Sequence, residues 1–243
     1  MSRFSDIDLN KKKLPPNYAY RDRSLLSLEH TLEPIIPRID QLRKHIMKAL
    51  GKCHFPSEYG LTREESAAVY LYTMEWGDQS LYRLLNKDLR SKDTSVSIPW
   101  FNYLKLFETA LQKLPKVKKC LWRGMDDSDD KHFTKGSEII WRSVSSCSTT
   151  LNIIKDFLGK DTNATLFMVE AVNGRNLIGY TKYPGENEVL LGPGTRLRVE
   201  SDDLKHIGGL KVVHLVEITD NNDEALPATT NAPNITSDSG QSE

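Results

Sequence analysis

The chain has 243 residues, 38% of them hydrophobic and 27% charged, with 33 basic residues balanced by 33 acidic ones. That length can bury a sizeable core in one large domain, whereas zero net charge offers no electrostatic basis for a nucleic-acid or membrane partner. No apolar run reaches the length of a signal peptide or a membrane span, so a soluble, cytoplasmic protein acting as a monomer is expected.

Residues 1–24 carry Lys11-Lys12-Lys13 and Pro15-Pro16 without apolar spacing, and read as a surface-crossing, partly disordered arm. Beyond it Leu32, Ile35, Ile36, Ile39, Leu42, Ile46 and Leu50 recur at three and four, one helical face that Pro34 and Pro37 confine to a helix over roughly 37–50. Thr62-Arg63-Glu64-Glu65 has the form of a capping box and predicts a helix running to about Thr73. Further helices fit 80–89 and 99–114, the latter closed by Pro115.

After Pro115 the chain turns to short runs rich in β-branched and aromatic residues. Strands are predicted over 117–122, 139–148, 164–172, 176–178, 186–191, 196–199 and 211–219. One helix over 151–158, with Gly159 as its C-terminal cap, interrupts them. Helices first and strands second predict an α+β domain over 25–220, its helical part (25–115) packed on a largely antiparallel β-rich part (116–220). Residues 221–243 lack periodicity and are expected to be a disordered tail.

The three cysteines, Cys53, Cys120 and Cys147, form neither a disulfide framework nor a zinc pattern, and the six histidines have no ligand spacing. Reduced cysteines and no metal site are expected, with Cys147 a buried packing residue.

Polar residues stand at three strand positions. Pro184-Gly185 and Gly192-Pro193-Gly194 bracket a short strand in which Glu186 and Glu188 share one face, where mutual repulsion raises the proton affinity of at least one and both can act on one ligand. Taken alone, the pair also describes the solvated face of an edge strand. Arg123 ends an apolar strand before Gly124 and can present a planar fork to a phosphate, or be a surface arginine at a turn. Ser146 and Ser148 share a strand face, where a hydroxyl can fix a neighbouring carboxylate, or belong to a serine-rich edge.

In this order, Trp122-Arg123-Gly124, Ser146-Cys147-Ser148 and Glu186-Asn187-Glu188 resemble the R-S-E class of mono-ADP-ribosyltransferases, the arginine-specific group of vertebrate ecto-enzymes and related bacterial toxins. Tyr72-Thr73, the segment Leu84-Leu85-Asn86-Lys87-Asp88-Leu89-Arg90 and a helix ending near Phe157 extend the resemblance to about residues 55–220. Ser-Cys-Ser replaces the family's Ser-Thr-Ser, and neither a signal peptide nor disulfides are apparent.

The resemblance implies a β-sandwich core of the ADP-ribosyltransferase type, NAD+ as co-substrate without a metal, and transfer of ADP-ribose to an exposed arginine of a protein acceptor. The catalytic set it implies is Arg123, Ser146, Glu186 and Glu188. Arg123 would clamp the pyrophosphate, Gly124 would meet the nicotinamide amide, and Ser146 would orient Glu188 or the ribose. Glu188 would also hold the ribose, with Ser148, Asn86 and Phe157 nearby. Glu186 would bind the incoming guanidinium beside Tyr183 or Tyr180. An NAD+ glycohydrolase using the same triad with water as acceptor is the alternative.

Overall fold

The computed structural model describes residues 3–4, 19–125, 133–158, 164–207 and 210–219. The helical half consists of α1 (Leu28–Leu32), α2 (Leu42–Lys52), α3 (Arg63–Thr73), α4 (Leu81–Arg90) and α5 (Phe101–Lys113). The capping box forms as predicted: the Thr62 hydroxyl accepts from Glu65 N at 3.2 Å and the Glu65 carboxylate accepts from Thr62 N at 2.7 Å. Glu65 also holds Lys113 Nζ at 2.7 Å, tying the start of α3 to the end of α5.

The predicted helix over 37–50 is shorter than its periodicity suggested. A 3-10 turn at Ile36–Arg38 is followed by an extended Ile39 and by Gln41 in the left-handed region (φ 53°), so the helix starts only at Leu42. Leu32, Ile35, Ile39, Leu42 and Ile46 are nevertheless all buried in one cluster. Three-and-four spacing reported which side chains face the core, and a broken helix satisfies it as well as a continuous one. Pro99 lies in a 3-10 turn, Thr94–Trp100, that leads into α5.

The second half carries β1 (Lys116–Met125), β2 (Glu138–Trp141), β3 (Ser145–Ser148), α6 (Leu151–Leu158), β4 (Thr165–Asn176), β5 (Glu188–Leu191), β6 (Thr195–Ile207) and β7 (Leu210–Glu217). The strands form a seven-stranded sheet in the order β1-β3-β5-β4-β7-β6-β2, antiparallel except for the β4–β7 pair. Where a sandwich was expected, this is one continuous sheet folded back on itself by an additional β1–β4 ladder running from Lys116 to Met125. Leu121, Trp141, Phe167, Val169, Val189, Leu197, Val213 and Leu215 fill its inside. Val144, Leu177, Tyr180 and Leu190 pack instead into the helical cluster, joining the two halves.

Two strand assignments are corrected. The run 139–148 is two strands at separate places in the sheet, β2 and β3, and the residues between them are tied to the helical half. Arg142 donates to the carbonyls of Arg90 (3.4 Å) and Ser91 (3.3 Å) at the end of α4, and Val144 O accepts from the Asn86 amide at 3.1 Å. Conversely, β4 runs unbroken to Asn176, with Gly174 in ladder register with Val117, and the separate strand expected over 176–178 does not form: Leu177 and Ile178 lie beyond β4, Ile178 in a turn.

The N-terminal arm is also revised in part. Ala19–Asp22 forms a 3-10 turn with Tyr20 buried on Phe101, and Arg3 and Phe4 are buried. Residues 5–18, Gly159 and the tail 221–243 lie outside the described residues. No helix among the described residues is long and apolar enough to cross a membrane.

The capping box generates a stability prediction. Thr62→Ala removes the hydroxyl acceptor of Glu65 N and should cost about 1 kcal/mol. A thermal melt should show Tm lower by about 2–4 °C in a chain of this size. An unchanged Tm would mean that Glu65 and Lys113 hold this end of α3 without the cap.

Candidate active site

The two acids are brought together by a turn and not by alternation along a strand. Pro184–Glu186 makes a single 3-10 turn, Asn187 takes a left-handed conformation (φ 49°), and β5 begins at Glu188. Asparagine tolerates that region better than most residues, and its side chain is held by Thr150 Oγ1 at 3.1 Å. The reversal directs Glu186 to the side on which Glu188 lies. Ser148 stabilises this turn, donating to Glu186 O at 2.8 Å and accepting from Thr150 N at 3.0 Å. Its hydroxyl therefore acts on the backbone that presents Glu186.

Glu188 is buried, in ladder register with Ser148 of β3. The guanidinium of Arg3, itself 1% exposed, lies between the two acids. Its Nε and Nη2 donate to the two oxygens of Glu188 at 2.9 and 3.3 Å, Nη2 also donates to Glu186 Oε2, and Nη1 reaches Glu75 at 3.3 Å. The Tyr183 ring centroid is 5.2 Å from the Arg3 guanidinium carbon. Burial is the largest influence on Arg3 and opposes its charge, but Glu188, Glu75 and Tyr72 together outweigh it, and the guanidinium is held above its ordinary pKa.

A second set of contacts fixes Glu188 itself. Thr181 Oγ1 donates to Glu188 Oε2 at 3.3 Å and accepts from Tyr183 N at 3.2 Å. Thr73, at the end of α3, accepts from Lys182 N at 2.8 Å and anchors this loop to the helical half. Of the two candidate aromatics, Tyr183 flanks the guanidinium. Tyr180 is buried in the helical cluster, its hydroxyl meeting Ser57 Oγ at 2.5 Å and donating to Glu58 at 3.1 Å.

Arg123 is fully buried in β1, its Nη1 donating to Ser146 O and, at 3.0 Å, to Arg3 O. Gly124 N donates to Phe4 O at 3.1 Å. A Cβ here would lie 2.7–2.9 Å from three atoms of the Leu158 side chain, so the glycine admits α6 against β1. The Ser146 hydroxyl is buried beside the Tyr72 phenol, and no group among the described residues meets it in hydrogen-bonding geometry.

Asn86 is fully buried, with its amide nitrogen on Val144 O and, at 3.5 Å, on the Tyr72 hydroxyl; it supports the chain just before Ser146. Phe157, 40% exposed, lies with its ring centroid 5.0 Å from that of Phe4. Cys147 points into the sheet interior, where burial pushes its thiol up to about 12, as suits a packing residue.

The fold thus gathers Arg123, Gly124, Ser146, Glu186, Glu188 and Tyr183 around Arg3 and Phe4, with Ser148 and Asn86 supporting the backbone beside them. Sequence reasoning missed Arg3, Glu75 and Thr181. Thr181 stands two residues before Tyr183 and was within reach of the same turn argument, while nothing local marked Arg3. Such a site can grip a planar cation between two carboxylates and offers backbone N–H, hydroxyl and guanidinium donors to an adjoining ligand.

A sequence model of the NAD:arginine ADP-ribosyltransferase family matches residues 29–223. Compared by sequence with curated proteins, the chain has no significant match. Solved structures share its fold. The ADP-ribosyltransferase Vis toxin from Vibrio splendidus superposes with a TM-score of 0.55 at 21% identity, over 84% of this chain and 91% of the toxin. Vis in complex with agmatine gives 0.53 at 18% identity, over 85% and 93%. The eucaryotic mono-ADP-ribosyltransferase ART2.2 gives 0.63 at 17% identity, over 88% and 96%. The family match spans most of the chain and the fold agrees with it: the chain belongs to the NAD:arginine ADP-ribosyltransferase family.

Proposed function

We propose that this cleft cleaves the bond between nicotinamide and ribose in NAD+ and transfers ADP-ribose to arginine side chains of a protein acceptor. The observation that carries the reading is the convergence of Glu186 and Glu188 on one guanidinium, with the Tyr183 ring beside it. The cleft already accommodates the group that such an acceptor presents. Agmatine, the compound bound to the Vis toxin, carries the same group.

The chemistry needs few residues. The C1′–N bond breaks with its electron pair passing to the nicotinamide nitrogen, which leaves neutral and needs no general acid. Positive charge grows on the ribose, as in glycoside cleavage. Glu188 is assigned to the ribose 2′-hydroxyl and to that cation. A carboxylate about 4 Å away in a partly screened site contributes roughly 4 kcal/mol, or about 10³ in rate. Thr181 fixes one of its oxygens.

The remaining donors suit the dinucleotide. Ser146 Oγ is buried without a partner among the described residues. Gly124 N–H and Arg123 Nη1 already meet carbonyl oxygens, the kind of acceptor that a carboxamide or phosphate presents. Phe157 supplies an apolar face for nicotinamide, while Ser148 and Asn86 act through the Glu186 turn and Val144. Glu186 pairs with the acceptor guanidinium and takes its proton as the nitrogen attacks C1′, since a protonated guanidinium has no lone pair to offer. Tyr183 covers the acceptor group, with Tyr180 packed below the same loop.

Three substitutions test these roles. Glu188→Gln should lower nicotinamide release about 10³-fold while NAD+ titration stays near the parent value, because the lost interaction belongs to the transition state. Release at the parent rate would remove Glu188 from the mechanism. Glu186→Gln should lower ADP-ribosylation of agmatine about 10²-fold or more and leave NAD+ hydrolysis intact; parallel loss of both would assign Glu186 to the dinucleotide. In Arg123→Lys, charge survives but the fork is lost, and calorimetric titration should show clearly weakened NAD+ binding. A parent chain that yields only free ADP-ribose with agmatine in excess would favour the glycohydrolase.

A further inference from the structure

Arg3 and Phe4 lie far from the site in sequence, yet together they fill it. Arg3 brings its guanidinium to Glu188, Glu186 and Glu75. Its carbonyl takes the Arg123 Nη1 donor at 3.0 Å, and the Phe4 carbonyl takes Gly124 N–H at 3.1 Å. The Phe4 ring is fully buried, stacked at a tilt on Phe157 and packed with Ile154, Leu158 and Leu166. Of these partners, Glu188, Arg123, Gly124 and Phe157 were assigned above to the dinucleotide and Glu186 to the acceptor.

From this overlap we infer that the cleft is a binding site for an arginine–aromatic dipeptide, that the chain's own Arg3–Phe4 occupies it, and that this occupancy competes directly with NAD+. The inference rests on the function proposed above. Its physical basis is steric and electrostatic together. Gly124 N–H cannot serve Phe4 O and a nicotinamide carboxamide at once, and a guanidinium seated on both oxygens of Glu188 takes the space beside it that a ribose would need. The Phe4 ring provides an aromatic plane against Phe157 with a carbonyl directed to Gly124, the two features a nicotinamide ring with its amide would present. Arg3 meanwhile satisfies the acids that an acceptor arginine would meet.

Arg3 in this position is an occupant and not an acceptor, because the residue following it covers the donor's place. Tethered through residues 5–18, the dipeptide acts as an intramolecular competitor, with an effective concentration on the order of mM for a short tether. Only the fraction of molecules with the cleft open binds NAD+, and apparent affinity falls in proportion.

The test compares NAD+ binding by calorimetry in the parent chain and in Arg3→Ala/Phe4→Ala. The variant should bind about tenfold more tightly or better, and the free peptide Met-Ser-Arg-Phe-Ser-Asp should restore the weaker value competitively. Equal affinities, or weaker binding by the variant, overturn the inference and leave the proposed function standing. NAD+ bound by neither chain overturns that function and the inference with it. A measurement on the unsubstituted chain guards against a variant that fails to fold. Phenylglyoxal should label Arg3 slowly without dinucleotide and at least several-fold faster at saturating NAD+, read by peptide mass spectrometry. Protection that persists at saturation overturns the inference.

Discussion

Two carboxylates held side by side out of water repel, and a fold keeps them ionised only by setting a cation against them. Glu188 is buried and Glu186 lies beside it, and the Arg3 guanidinium bridges both. The rest of the site can be read as the means of keeping that pair in place. A left-handed Asn187 turns Glu186 toward Glu188, Ser148 binds the turn, and Thr181 fixes a Glu188 oxygen. Under the function proposed above, the same pair receives the guanidinium of an acceptor.

The helical half builds the cleft as well as covering the sheet. Arg142 closes the end of α4, and Asn86 holds Val144 O. These contacts separate β2 from β3, so that β3 can pair with β5 and bring Ser146 and Ser148 alongside Glu188. Thr73 at the end of α3 anchors the loop that carries Thr181 and Tyr183. Groups from four places in the chain converge because each has a backbone carbonyl or amide to satisfy away from water.

Occupancy by Arg3–Phe4 gives the site a second use for the same chemistry. Under the function proposed above, a foreign arginine and Arg3 differ for this site only in tether and in what the next residue covers. The Phe4 carbonyl on Gly124 and its ring on Phe157 supply that difference. Selectivity between an acceptor and an internal occupant is then a matter of one residue's placement.

Much of this was legible in the chain. The capping box at Thr62–Glu65, the span of α6 and the helical-then-stranded order follow from local spacing and turn chemistry, which act over a few residues, while Arg123, Ser146 and Glu188 were singled out by the resemblance of their motifs to a known family. A local signal went wrong at 139–148, where a distant group intervened: Asn86 of α4 holds Val144 O between the two strands. The close fit of Gly124 against Leu158 was likewise invisible to local spacing. The burial of Arg3 against Glu188, across 185 positions, left no trace in composition or periodicity. The sequence by itself determined the order of helices and strands and offered the residues proposed for the chemistry. Only the tertiary structure decided that a turn joins the two acids and that the Arg3 guanidinium lies between them, because those outcomes depend on charges and carbonyls finding partners after the chain has closed on itself.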